Sequence, residues 1–221
     1  GRVRLDKRVD LIGAGAASTT IDSGGLFQVI RVIGTTGTAA DSIEISGFTL
    51  VNAAGNRSLL RAQDCEYLDI SDIVANGSGQ NGFFLDSVRH VTLADVVATN
   101  NLKSGLLLTA HAGMGATEAV TIEDGVFTGN AGLGTAAGGE AGVTVFVDDS
   151  DGASTVSNVV ITGTIDAGDN DRHGIALFNA DVTGAGAAIL DVSIGQGAGD
   201  SISLVGNTQA GLLVVGNVDG V

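Results

Sequence analysis

The chain has 221 residues and a formal charge of −15 from 25 acidic and 10 basic side chains, with 35 glycines and no proline or tryptophan. Its 44% apolar content excludes a disordered glycine-rich segment, and the excess of negative charge argues against nucleic acid and anionic membranes as partners. A single cysteine, Cys65, excludes an internal disulfide framework and a cysteine-based zinc site, and no apolar run approaches the roughly 18 residues of a membrane-spanning helix, so no membrane insertion is expected.

The chain opens on GRVRLDKRVDLIG, whose arginines and lysine read as a solvated first coil. It has neither an initiator methionine nor a charged leader followed by an apolar stretch, which suggests a mature, processed or excised segment. LIGAGAAST, residues 11 to 19, nearly spells a dinucleotide fingerprint, but that fingerprint needs a helix to open at Gly13 and Gly15, and the following TTIDSGG is no helix; both glycines read as turn residues.

From Ile43 a repeat governs the sequence. IEISGFTLVN, LDISDIVANG, VTLADVVATN, VTIEDGVFTG and VVITGTIDAG begin at Ile43, Leu68, Val91, Val120 and Val159, at separations of 25, 23, 29 and 39 residues. Each alternates apolar and polar residues, the mark of a half-buried strand, breaks at a Gly or Asp, and resumes as a second short strand. A further strand follows each copy: SLLRA from Ser58, GFFLD from Gly82, GLLLT from Gly105, GVTVF from Gly142 and GIALF from Gly174. Three short strands per unit with no helical periodicity predict an all-β parallel β-helix, a solenoid of about eight coils, roughly 38 Å long at about 4.8 Å per coil. One domain over residues 1–221 is expected, whole or as a segment of a longer chain.

Gly47, Asp72, Asp95, Asp124 and Gly163 share the template position between the second and third strands. A sharp bend there needs left-handed backbone, which Gly and Asp tolerate best, so the acids read as turn chemistry. Calcium held by stacked carboxylates is the alternative; the glycine-rich nonapeptide of calcium-binding β-rolls is absent, and no cofactor is expected.

The three-strand coil, the two-residue bend and the opening VRLDKRVDLIGAG with TTID resemble the pectin-lyase-like right-handed β-helix proteins, over almost the whole chain. NDRHG, residues 170 to 174, is similar to a stretch of mannuronan C5-epimerases, and VDDSD followed by RHG is loosely similar to polygalacturonases. The epimerases' Asp-Pro-His-Glu motif is missing here, since the chain has no proline, as are the polygalacturonases' Asn-Thr-Asp and Arg-Ile-Lys signatures, so neither chemistry is carried over. His173 then reads as a residue capping the loop that leads into GIALF.

The resemblance implies that any chemistry lies on the outer face of the strand represented by GFFLD. Assigning Phe83, Leu85, Leu106, Leu108, Val143, Val145, Ile175 and Leu177 to the interior leaves Arg61, Gln63, Phe84, Asp86, Leu107, Thr109, Thr144, Phe146 and Phe178 facing out. A lyase or epimerase needs a base beside a cation, which makes Arg61, Asp86, Arg89, His90 and His111 the candidate catalytic set. Phe84, Phe146 and Phe178, with Asp148 and Asp149, are candidate substrate-binding residues. His90 and His111 are expected in solvent-facing turns, and TGNAGLGTAAGGEA and DDSDGASTVSN are excursions long enough to cover the face.

Two functions are expected from this pattern: an extracellular or cell-surface module that binds or processes a polysaccharide along the outer strand face, or a non-catalytic structural or adhesive β-helix. The apolar final strand AGLLVVG, with no amphipathic cap after it, predicts cover from outside this sequence, for which homo-oligomerisation or end-to-end association is one route.

Overall fold

A computed structural model describes residues 2–53, 55–111, 114–131, 140–148, 154–180 and 186–221, leaving out the side chain of Asp148. The described residues form sixteen strands, numbered β1 to β16 along the chain, and no helix. All inter-strand ladders are parallel, and each strand pairs with the equivalent strand of the next coil. Parallel neighbours joined by crossover segments wind right-handedly, because a right-twisted strand packs back on its sheet only that way. The chain is a right-handed parallel β-helix.

Three lanes of strands make up its walls. The first contains β1 (Val3–Leu5), β4 (Ile30–Ile33), the starts of β6 (Leu60–Asn76) and β7 (Phe83–Thr99), β8 (Leu106–Thr109), β10 (Ala141–Asp148), β12 (His173–Ala180) and β15 (Ala210–Val215). Its register runs Val3, Ile30, Leu60, Phe83, Leu106, Val143, Ile175, Leu212. In the second lane, β2 (Leu11–Ile12), β5 (Ile43–Val51), the middles of β6 and β7, β9 (Thr117–Thr128), β11 (Thr155–Asp166) and β13 (Ala188–Ile194) stack Leu11, Ile45, Ile70, Leu93, Ile122, Ile161 and Ile194. The third starts with β3 (Thr20–Asp22) and stacks Ile21, Leu50, Ala75, Ala98 and Phe127. Two short strands near the C-terminus complete the set: β14 (Ser201–Ser203) pairs with β11, and β16 (Val218–Asp219) with β13.

The sequence repeat is the coil register. Ile43, Leu68, Val91, Val120 and Val159, the first residues of the five template copies, are direct partners across successive strands. All eight side chains assigned to the interior of the first lane are fully buried. Each such side chain contributes about 1.5–3 kcal/mol over an exposed one, so stacking, which alone buries them, holds the coils together. The glycines ahead of Phe83 and Leu106 are required by close approach: a Cβ on Gly82 or Gly105 would stand 2.7 Å from the carbonyl oxygen of Gly105 or Gly142 in the next coil.

Three columns of left-handed residues make the corners. Gly47, Asp72, Asp95, Asp124 and Gly163 all have positive φ, between 48° and 78°, as the turn reading requires. The Asp72 and Asp124 carboxylates also accept hydrogen bonds from Ala16 N–H, two coils away, and Thr164 N–H of the next coil, at 3.0 and 2.7 Å. Asn52, Gly77, Asn100, Gly129, Asp169 and Gly206 form a second column, and Tyr67, His90, Ala119, Asn158 and Asp191 a third.

Inside the second corner runs an asparagine ladder. Asn101, Asn130 and Asn170 are buried, and each donates its side-chain amide to the Oδ1 of the next, ending on Asn207, at 2.9, 3.1 and 3.1 Å. The same Oδ1 atoms accept the backbone N–H of the preceding asparagine. Asn170 is the second residue of the DNDRHG stretch, so that stretch serves the ladder. His173 differs from its reading as a loop cap: it is only 5% exposed and begins β12, in register with Ala141 and Ala210. The two-residue alternation that buries Ile175 and Leu177 extends back to position 173 and turns the imidazole inward.

Candidate functional site on the outer face of the first lane

Arg61 and Phe84 are register partners, and the Arg61 guanidinium lies over the Phe84 ring, 4.7 Å from its centroid. Arg61 Nη2 donates to Gln63 Oε1 at 3.3 Å, and Gln63 Nε2 donates to Asp86 Oδ2 at 3.1 Å. Asp86 Oδ1 sits 2.8 Å from His111 Nδ1 and accepts from the Ser87 hydroxyl at 3.1 Å. The Ser87 hydroxyl in turn accepts His111 N–H at 3.3 Å, which fixes the backbone carrying the imidazole. Of the candidate catalytic set, the structure brings together Arg61, Asp86 and His111.

Asp86 is not an exposed groove residue as its outward register implied. It is 1% exposed, covered by Gln63, Ser87 and His111, whereas the His111 side chain is 43% exposed. An ionised carboxylate only accepts hydrogen bonds, so an ionised Asp86 pairs with a proton on His111 Nδ1.

Arg89 and His90 do not join this group. Arg89 is ion-paired with Glu66, and His90 stands at the third left-handed corner, stacked on Tyr67. Among the candidate binding aromatics, Phe84 supports Arg61, and Phe146 and Phe178 stack on each other at 5.9 Å between centroids. They continue the Asp86 column of the same face, beside a hollow lined by Leu107, Thr144 and Phe146 with Lys103 and Glu140 at its margin. Asp148 ends β10, but its side chain, Asp149 and, within the two long excursions, residues 132–139 and 149–153 lie outside the described residues.

Arg4 and Arg31 are the important residues that sequence reasoning missed. They pair in register with each other and with Arg61, so three consecutive coils carry an outward arginine in one column. The signal was present as three apolar-Arg-apolar triplets, Val3-Arg4-Leu5, Ile30-Arg31-Val32 and Leu60-Arg61-Ala62. Burial, then the positive charges of Arg61, Arg2, Arg4 and Arg57, hold the Arg31 pKa below its ordinary value. Burial and then Arg57 lower that of Arg61, against the opposing pull of Asp86. Nε of both Arg31 and Arg61 is buried without a hydrogen-bond partner. Arg4 is near Asp6, at 3.6 Å. Half of the ten basic residues of a strongly acidic chain thus gather on one patch.

Among the described residues no three His, Cys, Asp or Glu side chains converge as a metal-binding group, and no helix is long and apolar enough to cross a membrane. No family model and no curated protein matches the chain. A search of solved structures finds the A-module of the Azotobacter vinelandii mannuronan C-5 epimerase AlgE4, 14% identical, with 98% of this chain and 84% of that one covered and a TM-score of 0.29. The fold assignment rests on the register of this chain's own strands, and that fold, the right-handed parallel β-helix, is the one its pectin-lyase-like sequence pattern implies.

Proposed function

We propose that the chain is an extracellular polysaccharide-binding or polysaccharide-processing module that holds an acidic glycan along the outer face of the first lane. The observation that carries this reading is the in-register column Arg4, Arg31, Arg61, continued by Phe84 and flanked by the Asp86–His111 pair. Mutual repulsion and partial desolvation make such a column costly by itself, and anionic groups spaced along a polymer relieve that cost. Bidentate guanidinium contacts suit carboxylates, and the Phe84 ring offers a surface for a sugar's C–H face. If the module is catalytic, Arg61 neutralises a uronate carboxylate and His111 Nε2 removes the proton on the adjacent carbon, with Asp86 stabilising the imidazolium that forms.

The test is affinity electrophoresis against acidic and neutral polysaccharides, with products followed by mass spectrometry. Retardation by an acidic glycan, weakening as salt rises and reduced about tenfold by Arg31→Gln or Arg61→Gln, is the expected result. Indifference to every acidic glycan would overturn this reading and leave the structural or adhesive one.

A further inference from the structure

The corner between the first and second lanes carries a feature that the arginine face does not use. Tyr67, His90 and Ala119 occupy equivalent positions in three consecutive coils, because the residues after them, Leu68, Val91 and Val120, are register partners. All three are left-handed, with φ of 54°, 55° and 54°. For a bulky residue such as Tyr that conformation costs on the order of 1 kcal/mol or more, and the same column uses Asn158 and Asp191 in later coils, where the cost is small. What the strained backbone achieves is a ring stack projecting from the corner: Tyr67 and His90 lie 4.5 Å apart and within 11° of parallel.

The stack stops at Ala119. Its methyl group leaves the far face of the exposed His90 ring uncovered for the height of one coil, about 4.8 Å, close to the spacing the two rings already keep. That open place is one end of a polar groove: Thr92 of the His90 coil and Thr121 of the Ala119 coil flank it, and the groove runs on past Asp69 to Ser42 and Thr38 at the Tyr67 end. Two hydroxyls beside one flat ring, with the Asp69 carboxylate further along the groove, suit a ligand with an apolar face and a hydroxyl edge, which is the surface of a pyranose. An aromatic side chain of a protein partner would leave those polar groups unsatisfied. The charges exclude an anion: Asp69 is held by Ser42, Glu118 receives the Asn158 amide, and the nearby Arg89 is already paired with Glu66.

We propose that this corner is a carbohydrate-binding site separate from the arginine face, in which a neutral pyranose ring lies on the free face of His90 in the place a third ring would fill above Ala119. It depends on no residue of the arginine face.

The test follows the imidazole resonances of the three histidines by NMR, with His90→Ala supplying the assignment. The probes are β-linked tetramers of glucose, mannose, xylose and galactose, with tetragalacturonate as the anionic arm, each raised to about tenfold over a millimolar dissociation constant. A saturable shift of the His90 resonance with at least one neutral tetramer is expected, and Ala119→Tyr should abolish it by filling the place above the ring. Tyr67 already adopts the same backbone conformation in the same column, so that substitution is compatible with the fold. If Ala119→Tyr fails to fold, Thr121→Val, which removes a hydroxyl from the groove, should weaken the same probe at least about threefold. The proposal is overturned if no neutral tetramer moves His90, if only tetragalacturonate does, or if binding survives both substitutions. Tetragalacturonate bound through Arg31 and Arg61 without movement of His90 would support the glycan reading of the other face and leave this outcome unaffected.

Discussion

Asp86 is almost completely buried, and its Oδ1 lies 2.8 Å from Nδ1 of a half-exposed His111. That pairing orders the imidazole and places it three hydrogen bonds from Arg61, through Asp86 and Gln63. Asp86→Asn keeps the side-chain shape but removes the charge that holds Nδ1–H. If His111 is the base, turnover of an acidic glycan should fall about 100-fold or more while its affinity, set by the arginines, changes less than about twofold. Equal losses in turnover and affinity would show that the pair only shapes the face.

The asparagine ladder should dominate the stability of the second corner. Asn130→Ala removes the acceptor of Asn101 N–H and Nδ2 and leaves Ala98 O without its side-chain donor, all inside the core. Buried polar groups left without partners cost about 1–3 kcal/mol each, so a loss of about 3 kcal/mol or more in chemical denaturation is expected. A loss under about 1 kcal/mol would mean that the ladder merely fills space.

Period-two alternation was legible in the sequence because each coil must bury one face of every strand, and the five template copies are register partners for that reason. The bend acids were legible because left-handed backbone restricts residue choice locally. What escaped were the columns. Arg4 and Arg31 each look like a lone charge within a strand, and only the stacking of residues 27 and 30 positions apart makes them one site with Arg61. The asparagines of TNN, TGN, GDN and VGN look like loop polarity until the coils are superimposed and their amides bond to one another. His173 was misread for a related reason: polar neighbours Asp171 and Arg172 suggest a loop, yet the alternation set by Ile175 points its ring into the wall.

At the first corner the backbone makes a clear demand. Asp95 has φ of 51° and shares its corner column with Gly47, Asp72, Asp124 and Gly163, all left-handed, so its role is conformational. Asp95→Gly should leave the melting temperature nearly unchanged, whereas Asp95→Val, branched at Cβ, should cost about 1–3 kcal/mol. Calcium should not alter the melting temperature of either form; strong stabilisation by calcium that disappears in Asp95→Gly would instead assign the acid ladder to a metal.

The last prediction concerns acid. Asp200 reaches from a later coil to the bend at Gly163: its Oδ1 accepts Gly163 N–H at 2.9 Å, its Oδ2 accepts Gly197 N–H at 2.7 Å, and both oxygens meet the Thr162 hydroxyl. The Gly163 hydrogen bond first, then that from Gly197, outweigh desolvation and, with Thr162, hold the carboxyl below its ordinary range. Asp22 is lowered in the same way, by Gly24 N–H and then the Asn52 amide. A carboxylate whose folded pKa is depressed adds stability above its unfolded pKa, near 4, and loses it as pH falls through the folded value, because the unfolded chain then binds more protons. The melting temperature of the native chain should therefore drop as pH is lowered from about 6 to about 2, and Asp200→Asn, already lower at neutral pH, should drop less steeply over that window. Asp22 is exposed and Asp200 only partly covered, so the difference should be small and should persist in salt, since it arises from local hydrogen bonds rather than long-range charge. Parallel pH profiles for the two proteins would show that Asp200 does not hold the bend in its ionised form.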